Sequence, residues 1–242
     1  MSLSIIVPVH NEVKNISNTI ANILVAVERN SIFDYEILIC ESGSIDGTVK
    51  IINDLAKNNQ NIKIFIFPDN YNLGEKYRSA IHKSQKKYIA YIPGDNDIDL
   101  DSIIKIFSAI GRADIILPYT VNMEQRPLNR RLFSYAYTFL MNLISGYKIK
   151  YYNGACVFLT SELKKIHVMS DGFSYMSEIV VKLLSNNLTY YELPMKVVGR
   201  DEDKSSALQF RNFIDTGIIV GRLFWTLKIK KLFFINKKKH KF

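Results

Sequence analysis

The sequence predicts an α/β protein with a mostly parallel sheet and helices on both of its faces. Short β-branched runs alternate with segments whose apolar residues recur at helical spacing through the first 110 residues. Such alternation is typical of parallel strands joined by crossover helices. The conspicuous polar loops all follow strands, so they are expected at the carboxyl edge of the sheet, where ligands bind in folds of this class.

The elements can be placed in chain order. Strands are expected at residues 4–8, 35–40, 62–67, 88–92, 114–117, 152–160 and 188–198. Helices are expected at residues 15–27, 49–57, 74–83, 100–110, 132–145 and 177–184. The helix at 132–145 is apolar nearly all round, which predicts a buried or surface-docked helix, whereas the polar segment 120–131 before it is expected to be mobile.

Composition indicates one large domain with an appendage. The chain has 242 residues, of which 48% are apolar, so a globular core rather than disorder is expected. Cys40 and Cys156 lie far apart without metal-ligand spacing, which favours reduced, buried thiols in a cytoplasmic protein. Charge interrupts every stretch of 18 apolar residues, so no membrane-spanning helix is evident. We expect a domain at residues 1–206 and a separate tail at 207–242.

The tail carries most of the net charge of +9. Residues 222–242 contain eight Lys or Arg and no acid, interleaved with Phe224, Trp225, Phe233 and Phe234. This pattern favours an amphipathic basic helix on an anionic membrane, with the protein peripheral on the cytoplasmic membrane face. A packing helix with a solvated end and a nucleic-acid-binding module are the alternatives. A nucleic-acid-binding module would leave the four aspartates at residues 95–101 unexplained, so we expect no nucleic-acid partner.

That acidic cluster follows the predicted strand 88–92 as "YIPGDNDIDLD". Clustered carboxylates repel one another unless a cation lies among them. An EF-hand loop fits poorly, because Leu100 and Ile106 occupy the positions that need glycine and glutamate. A helix cap at Asp101 and Ser102 explains one aspartate only.

The explanation that fits best is a divalent cation that joins carboxylates to the diphosphate of a ligand. Mg²⁺ and Mn²⁺ favour one or two carboxylates together with phosphate oxygens. Residues two apart on an extended segment point the same way, so Asp95, Asp97 and Asp99 are the predicted metal ligands.

Four stretches in order extend this prediction: "SIIVPVHNE", "ESGSIDGT", "NLGEKYRSAI" and "YIPGDNDID". Their order resembles family 2 glycosyltransferases of the GT-A (Rossmann-like) fold, and in particular the dolichyl- and polyprenyl-phosphate sugar synthases. The resemblance covers about residues 3–206. It implies a GDP- or UDP-sugar donor, Mg²⁺ or Mn²⁺, and a one-step transfer that inverts the anomeric centre.

The resemblance also assigns the donor site. Pro8, His10 and Glu12 match the first loop, beside the base and ribose, and Glu41 matches the acid that contacts the base. Asp46 matches the last acid of the second motif, in which Ser42 replaces the usual second aspartate. The ends of the Asp-x-Asp motif fall on Asp95 and Asp97, with Asn96 between them.

The acceptor site is assigned by the same resemblance. Arg200 matches a basic residue near the acceptor or diphosphate, and Glu178 matches the carboxylate that serves as general base towards hydroxyl acceptors. Complementing a helix N-terminus is the alternative for Glu178. The chain departs from the polyprenyl-phosphate enzymes at 119–120 and at Ser206, where basic residues are often found. The cations near enough in sequence to substitute are Arg126, Arg130, Arg131 and Lys204.

Two acceptors therefore remain open. The motif order and the basic tail favour a polyprenyl phosphate at the membrane surface. The two missing cations and Glu178 favour a saccharide hydroxyl on a lipid-linked glycan.

Overall fold

The computed structural model describes residues 1–69, 71–172 and 174–198, together with the isolated positions 217, 221 and 222. The tail predicted at 207–242 lies almost wholly outside these residues, as does Arg200. Both expectations therefore remain predictions.

Seven strands form one sheet in the order β3-β2-β1-β4-β6-β5-β7. They are β1 (Ser2–Val9), β2 (Asp34–Ser42), β3 (Ile62–Phe67), β4 (Tyr88–Tyr91), β5 (Ile115–Thr120), β6 (Val157–Leu159) and β7 (Tyr190–Met195). Neighbouring strands are parallel except where β6 inserts antiparallel between β4 and β5. The predicted mostly parallel sheet is confirmed.

The helices are α1 (Ile16–Arg29), α2 (Thr48–Asn58), α3 (Leu73–Lys83), α4 (Leu100–Ser108), α5 (Leu128–Ser145), α6 (Thr160–Leu163) and α7 (Tyr175–Ser185). A short 3-10 helix, Met123–Gln125, precedes α5, so part of the segment expected to be mobile has regular structure.

Two apolar cores confirm that helices cover both faces of the sheet. Alternate side chains of each strand point to opposite faces, so Ile5 and Val7 of β1 join one core and Ile6 joins the other. Helices α1, α2 and α4 pack in the first core, and α3, α5 and α7 in the second. Burial of these apolar faces is the main stabilising contribution. Cys40 and Cys156 are buried free thiols, as predicted.

Across the part of the chain that the structure describes, no helix combines the length and apolar character needed to cross a bilayer.

Candidate functional site

The candidate site lies at the carboxyl edge of the sheet, between β1 and β4. The chain adds β2 and β3 on one side of β1 and then crosses to place β4 on the other, which creates a topological switch point. The loop after β4 touches the end of β1 there, because the Gly94 backbone N–H donates to the Pro8 carbonyl at 3.1 Å. A Cβ atom at Gly94 would lie 2.9 Å from that carbonyl oxygen, so the close approach requires glycine.

The loops after β1 and β2 are joined through Asp46. Its carboxylate accepts from the backbone N–H groups of Thr48 at 3.0 Å and Val13 at 3.1 Å. Burial works against the charged form, but the hydrogen bonds from Thr48 outweigh it and lower the pKa of Asp46. Glu12 is held in the same region, since its backbone N–H donates to the Thr48 hydroxyl at 2.9 Å. Asp46 thus organises the loops that the resemblance assigns to the donor.

The buried end of β2 presents Glu41 and Ser42 to this edge. The Glu41 carboxylate accepts from the Ser44 backbone N–H at 2.7 Å, and His10 Nδ1 lies 2.6 Å from the Ser42 carbonyl oxygen. Glu41 is buried whereas His10 is exposed. The residues that match the family's nucleoside side therefore lie at the ends of the neighbouring strands β1 and β2 and in the loops that follow them.

Lys76 of α3 is a buried cation that was not predicted from the sequence. Its ammonium donates to the Ser42 hydroxyl at 2.9 Å and to the Val9 carbonyl at 3.4 Å, and the residue is only 5% exposed. Burial lowers the pKa of Lys76, an effect that Cys40 and Glu41 partly offset. The partner of Ser42 is thus a lysine in a chain where serine replaces the family's usual aspartate.

The acidic loop after β4 is tightly organised. The Asp95 carboxylate accepts from the Asp97 backbone N–H at 3.1 Å. Between them Asn96 has a positive φ of 54°, a conformation that asparagine tolerates better than most residues. The Asn96 side-chain oxygen accepts from Asn22 of α1 at 3.0 Å, so this side chain anchors the loop to the helix.

Arg126 pairs with Asp97. The Arg126 Nη2 atom lies 3.5 Å from Asp97 Oδ2, and Nη1 donates to the Tyr151 hydroxyl at 3.1 Å. Burial disfavours the charged guanidinium, but Tyr151 and Asp97 outweigh this effect and raise the pKa of Arg126. From the sequence, Arg126 is expected only as a substitute for one of the two missing cations. The structure places it directly on the predicted metal ligand.

Asp99 does not join Asp95 and Asp97 in a common cluster. Its carboxylate accepts from the Ser102 backbone N–H at 2.9 Å and caps α4. In the regions that the structure describes, no group of three His, Cys, Asp or Glu side chains is arranged to hold a metal ion. In this structure the positive φ at Asn96 and the cap of α4 turn the chain, so the three aspartates do not follow one extended segment. Their assignment as metal ligands remains a prediction.

The remaining donor set still fits one divalent cation. Asp95 and Asp97 supply two carboxylates, and a Mg²⁺ or Mn²⁺ ion takes one or two carboxylates when phosphate oxygens complete its coordination. Arg126 supplies the positive charge beside Asp97 in this structure. These two aspartates are the residues that would hold the metal.

Glu178 lies at the start of α7 and is completely buried. Its carboxylate accepts from the backbone N–H groups of Met169 at 3.1 Å and Ser170 at 2.8 Å, and it forms an ion pair with Lys182. These contacts fasten the 167–172 loop to α7. The arrangement suits a structural carboxylate better than a base that must receive a proton from an acceptor.

The acceptor-side cations are only partly described. Arg131 lies in the first turn of α5, and its buried Nε atom has no hydrogen-bond partner within the described structure; the same holds for Arg126 Nε. Arg200 lies outside the described residues. Val198, two residues before it, donates its backbone N–H to the Asp97 carbonyl at 2.9 Å, so the chain leaves the described structure beside the acidic loop.

An α/β sheet with an acidic loop at its switch point defines the class of the protein as a GT-A fold. The model of the family "Glycosyl transferase family 2" matches residues 4–166, and the chain belongs to this family.

Relatives are similar over part of their length. A protein named as an uncharacterized glycosyltransferase of Haemophilus influenzae is 27% identical over 103 residues, which is 43% of this chain and 40% of that protein. The chondroitin synthase of Pasteurella multocida is 27% identical over 126 residues, which is 52% of this chain and 12% of the synthase. This chain thus matches less than half of the length of either relative.

Solved structures share the fold over most of this chain. Glucosyl-3-phosphoglycerate synthase from Mycobacterium tuberculosis, in complex with Mn²⁺, UDP and phosphoglyceric acid, superposes with a TM-score of 0.65 at 13% identity. The match covers 91% of this chain and 78% of that one. S. aureus TarS 1–349, in complex with UDP-GlcNAc, gives a TM-score of 0.66 at 15% identity over 94% of this chain and 68% of TarS.

Proposed function

We propose that this protein transfers a sugar from a GDP- or UDP-sugar to a polyprenyl phosphate, with inversion at the anomeric carbon. The observation that carries the proposal is the acidic loop at the sheet's switch point, where Asp95 accepts from the Asp97 backbone and the Asp97 carboxylate pairs with the cation Arg126. Family membership supports the donor class, as do the fold relatives whose structures contain UDP or UDP-GlcNAc.

In the proposed reaction, an oxygen of the lipid phosphate forms a bond to the anomeric carbon of the donor sugar. The bond from that carbon to the diphosphate oxygen breaks, and the nucleoside diphosphate leaves with the electron pair. A bound Mg²⁺ or Mn²⁺ would supply Lewis-acid neutralisation of the diphosphate charge. The loops joined by Asp46 orient the nucleoside, and Arg126 and Arg131 contribute fixed positive charge on the phosphate side.

The surroundings of Glu178 favour a phosphate over a hydroxyl acceptor. A phosphate monoester has a second pKa of about 6, so its oxygen is already an anionic nucleophile at neutral pH and needs no base. A sugar hydroxyl must lose its proton during attack, and the carboxylate assigned to that task is buried and committed to Met169, Ser170 and Lys182. The alternative, transfer to a saccharide hydroxyl of a lipid-linked glycan, is favoured by the similarity to chondroitin synthase.

The test is a transfer assay with the full-length protein and Mn²⁺ over a panel of GDP- and UDP-sugars. Each donor is offered either a short-chain polyprenyl phosphate or a set of oligosaccharides. We expect a glycolipid product that is lost in excess EDTA and in Asp97→Ala. Transfer to an oligosaccharide with none to the lipid phosphate would replace the proposal with its alternative.

A peripheral position on the cytoplasmic membrane face belongs to the same proposal. Its support is the run of eight Lys or Arg without an acid at residues 222–242, which suits an anionic lipid surface.

A further inference from the structure

Helix α5 exposes a long apolar stripe. The large side chains at positions 128, 132, 135, 139 and 143 recur every three or four residues, the spacing that places them on one face of a helix. They are Leu128, Leu132, Tyr135, Phe139 and Leu143, with exposed fractions from 57% to 71%, and Leu140 lies beside them at 38%. Single exposed apolar residues are ordinary, whereas a continuous row indicates a surface that binds something apolar.

The stripe is not the core-facing side of the helix. Tyr137, Met141 and Ile144 point into the second core and are buried, so α5 is apolar towards the protein and also towards the outside. Exposure of an apolar outer face to water is unfavourable. A partner that covers this face would remove several large side chains from solvent. A partner that is itself apolar therefore fits this face.

The charges around the stripe identify the partner. Helix α5 contains no acid; Arg130 and Arg131 lie in its first turn, and Lys148 and Lys150 follow its C-terminus. Residues 121–150 contain five Lys or Arg and one acid, Glu124. An apolar stripe between two basic ends matches an anionic lipid surface, into whose acyl boundary such a helix lies with its cations towards the headgroups.

The same charges oppose the other occupants. Residues 222–242 of the tail carry no acid, so placing this segment on α5 would bring cations to cations. A second copy packed through the same face would also bring arginines and lysines together. An anionic membrane is the occupant that the charges favour.

We propose that α5 is a membrane-docking helix that lies in the interface of an anionic bilayer with the Leu128–Leu143 stripe buried in lipid. Arg126, two residues before α5, contacts Asp97, so the docked face adjoins the acidic loop. The inference shares its membrane partner with the proposed function but rests on different residues. If the protein binds vesicles but transfers no sugar to a lipid phosphate, the docking role of α5 is retained and the proposed acceptor is ruled out.

The first experiment measures sedimentation of the full-length protein with phosphatidylglycerol/phosphatidylcholine vesicles. The paired variants Leu132→Ser/Phe139→Ser and Leu128→Ser/Leu143→Ser remove the stripe in two independent ways. The matched control, Phe33→Ser/Ile66→Ser, removes two other apolar residues that lie outside the stripe and are 88% and 67% exposed. We expect each stripe variant to partition more weakly by on the order of tenfold, and the control to partition as the wild type.

The second experiment reports on α5 directly. The chain has one tryptophan, Trp225 in the tail, so a Trp225→Phe, Phe139→Trp protein carries its only tryptophan on the stripe. We expect its emission to shift to the blue on anionic vesicles and to be quenched by brominated lipid. The proposal is overturned if both stripe variants sediment with vesicles as strongly as the wild type does. It is also overturned if the tryptophan at position 139 remains exposed to water when the protein is bound to vesicles. Conversion of a wild-type dimer to a monomer with unchanged vesicle binding also overturns it, in favour of a second copy.

Discussion

The Nη2 atom of Arg126 lies 3.5 Å from Oδ2 of Asp97, with side chains that are only 9% and 13% exposed. A cation of the protein therefore stands beside the carboxylate that the proposed metal would bind. Two cations close to one carboxylate repel each other, so the guanidinium and a metal ion oppose each other's binding at Asp97. The donor's diphosphate removes this conflict, because it carries negative charge for both.

Replacing Arg126 by Gln should uncover that competition. We expect the metal-free protein to lose about 1–3 kcal/mol of unfolding free energy, because Asp97 loses a charged partner in a poorly solvated position. Mn²⁺ without donor should then stabilise the variant more than the wild type. Thermal unfolding with and without Mn²⁺ measures both effects. Tyr151→Phe is the matched control, since it removes the other Arg126 contact without changing charge, and an equal Mn²⁺ response in Arg126→Gln and wild type would contradict the competition.

Glu178→Gln should affect stability more than chemistry. The substitution keeps the size of the side chain but weakens the contacts to two backbone N–H groups and to Lys182. We expect a loss of about 1–3 kcal/mol in urea unfolding, with turnover of the folded protein changed by much less than the ~10²–10⁴-fold that a general base supplies.

Lys182→Met is the control for Glu178, because it breaks the ion pair and leaves the carboxylate. A collapse of turnover in Glu178→Gln alone, at unchanged stability, would identify a base and a hydroxyl acceptor. Arg200→Ala, by contrast, is expected to be the more damaging change for transfer to a lipid phosphate.

Local pattern predicted the first half of the fold closely, and it failed where contacts are long-range. Strands β1 to β4 and helices α1 to α4 lie within about two residues of the predicted bounds, because each buries its own periodic apolar face. The antiparallel insertion of β6 depends on partners about 40 and 70 residues away, which no local pattern encodes. The predicted strand at 152–160 is accordingly reduced to three residues.

The candidate site also has a part that was predictable from the sequence and a part that was not. Motif order brought the loops after β1, β2 and β4 to one edge, and the structure confirms that placement. Lys76 could have been found, because it shares the buried face of α3 with Ala80, four residues further on at helical spacing. The pairing of Arg126 with Asp97 and the burial of Glu178 depend on tertiary packing and carry no sequence signal.

Lowering the pH should reduce the unfolding free energy of the protein through protonation of Glu36 in β2. Its buried carboxylate accepts from Ser4 and Gln85 at 2.7 Å and from Lys63 at 2.8 Å. Burial opposes the charge, but the bonds from Lys63, Gln85 and Ser4 outweigh it and lower the pKa of Glu36. A depressed folded pKa gives stability that is present above the ordinary glutamate pKa and is lost as pH falls through the folded value.

The measurement is urea unfolding of wild type and Glu36→Gln from pH 7 down to pH 3. The variant should be less stable at pH 7, and the difference should shrink as pH falls. Glu28→Gln, an exposed change on α1, is the control. A difference that stays constant with pH would rule out ionisation of Glu36 as the cause.

Deleting residues 222–242 should weaken membrane binding in a salt-dependent way. Each lysine near an anionic surface contributes on the order of 1 kcal/mol, an attraction that salt screens. We expect the deletion to flatten the dependence of vesicle sedimentation on salt, while hydrolysis of a soluble donor survives. An unchanged salt dependence after the deletion would show that the tail does not bind lipid headgroups.

Substitutions at Asp97 and Asp99 should distinguish the residue that binds the metal from the residue that caps a helix. Asparagine caps a helix about as well as aspartate, but its neutral amide is a poor ligand for a hard divalent cation. Asp99→Asn should therefore keep both stability and transfer, and Asp99→Ala should lose about 1 kcal/mol of unfolding free energy with transfer retained.

Asp97→Asn should abolish transfer and the stabilisation that Mn²⁺ with a nucleoside diphosphate provides. These outcomes are read from initial rates at limiting Mn²⁺ and from thermal unfolding of each variant. If Asp99→Asn instead raises the Mn²⁺ concentration needed for half-maximal rate by tenfold or more, then the Asp99 carboxylate leaves its cap to bind the metal in the loaded enzyme.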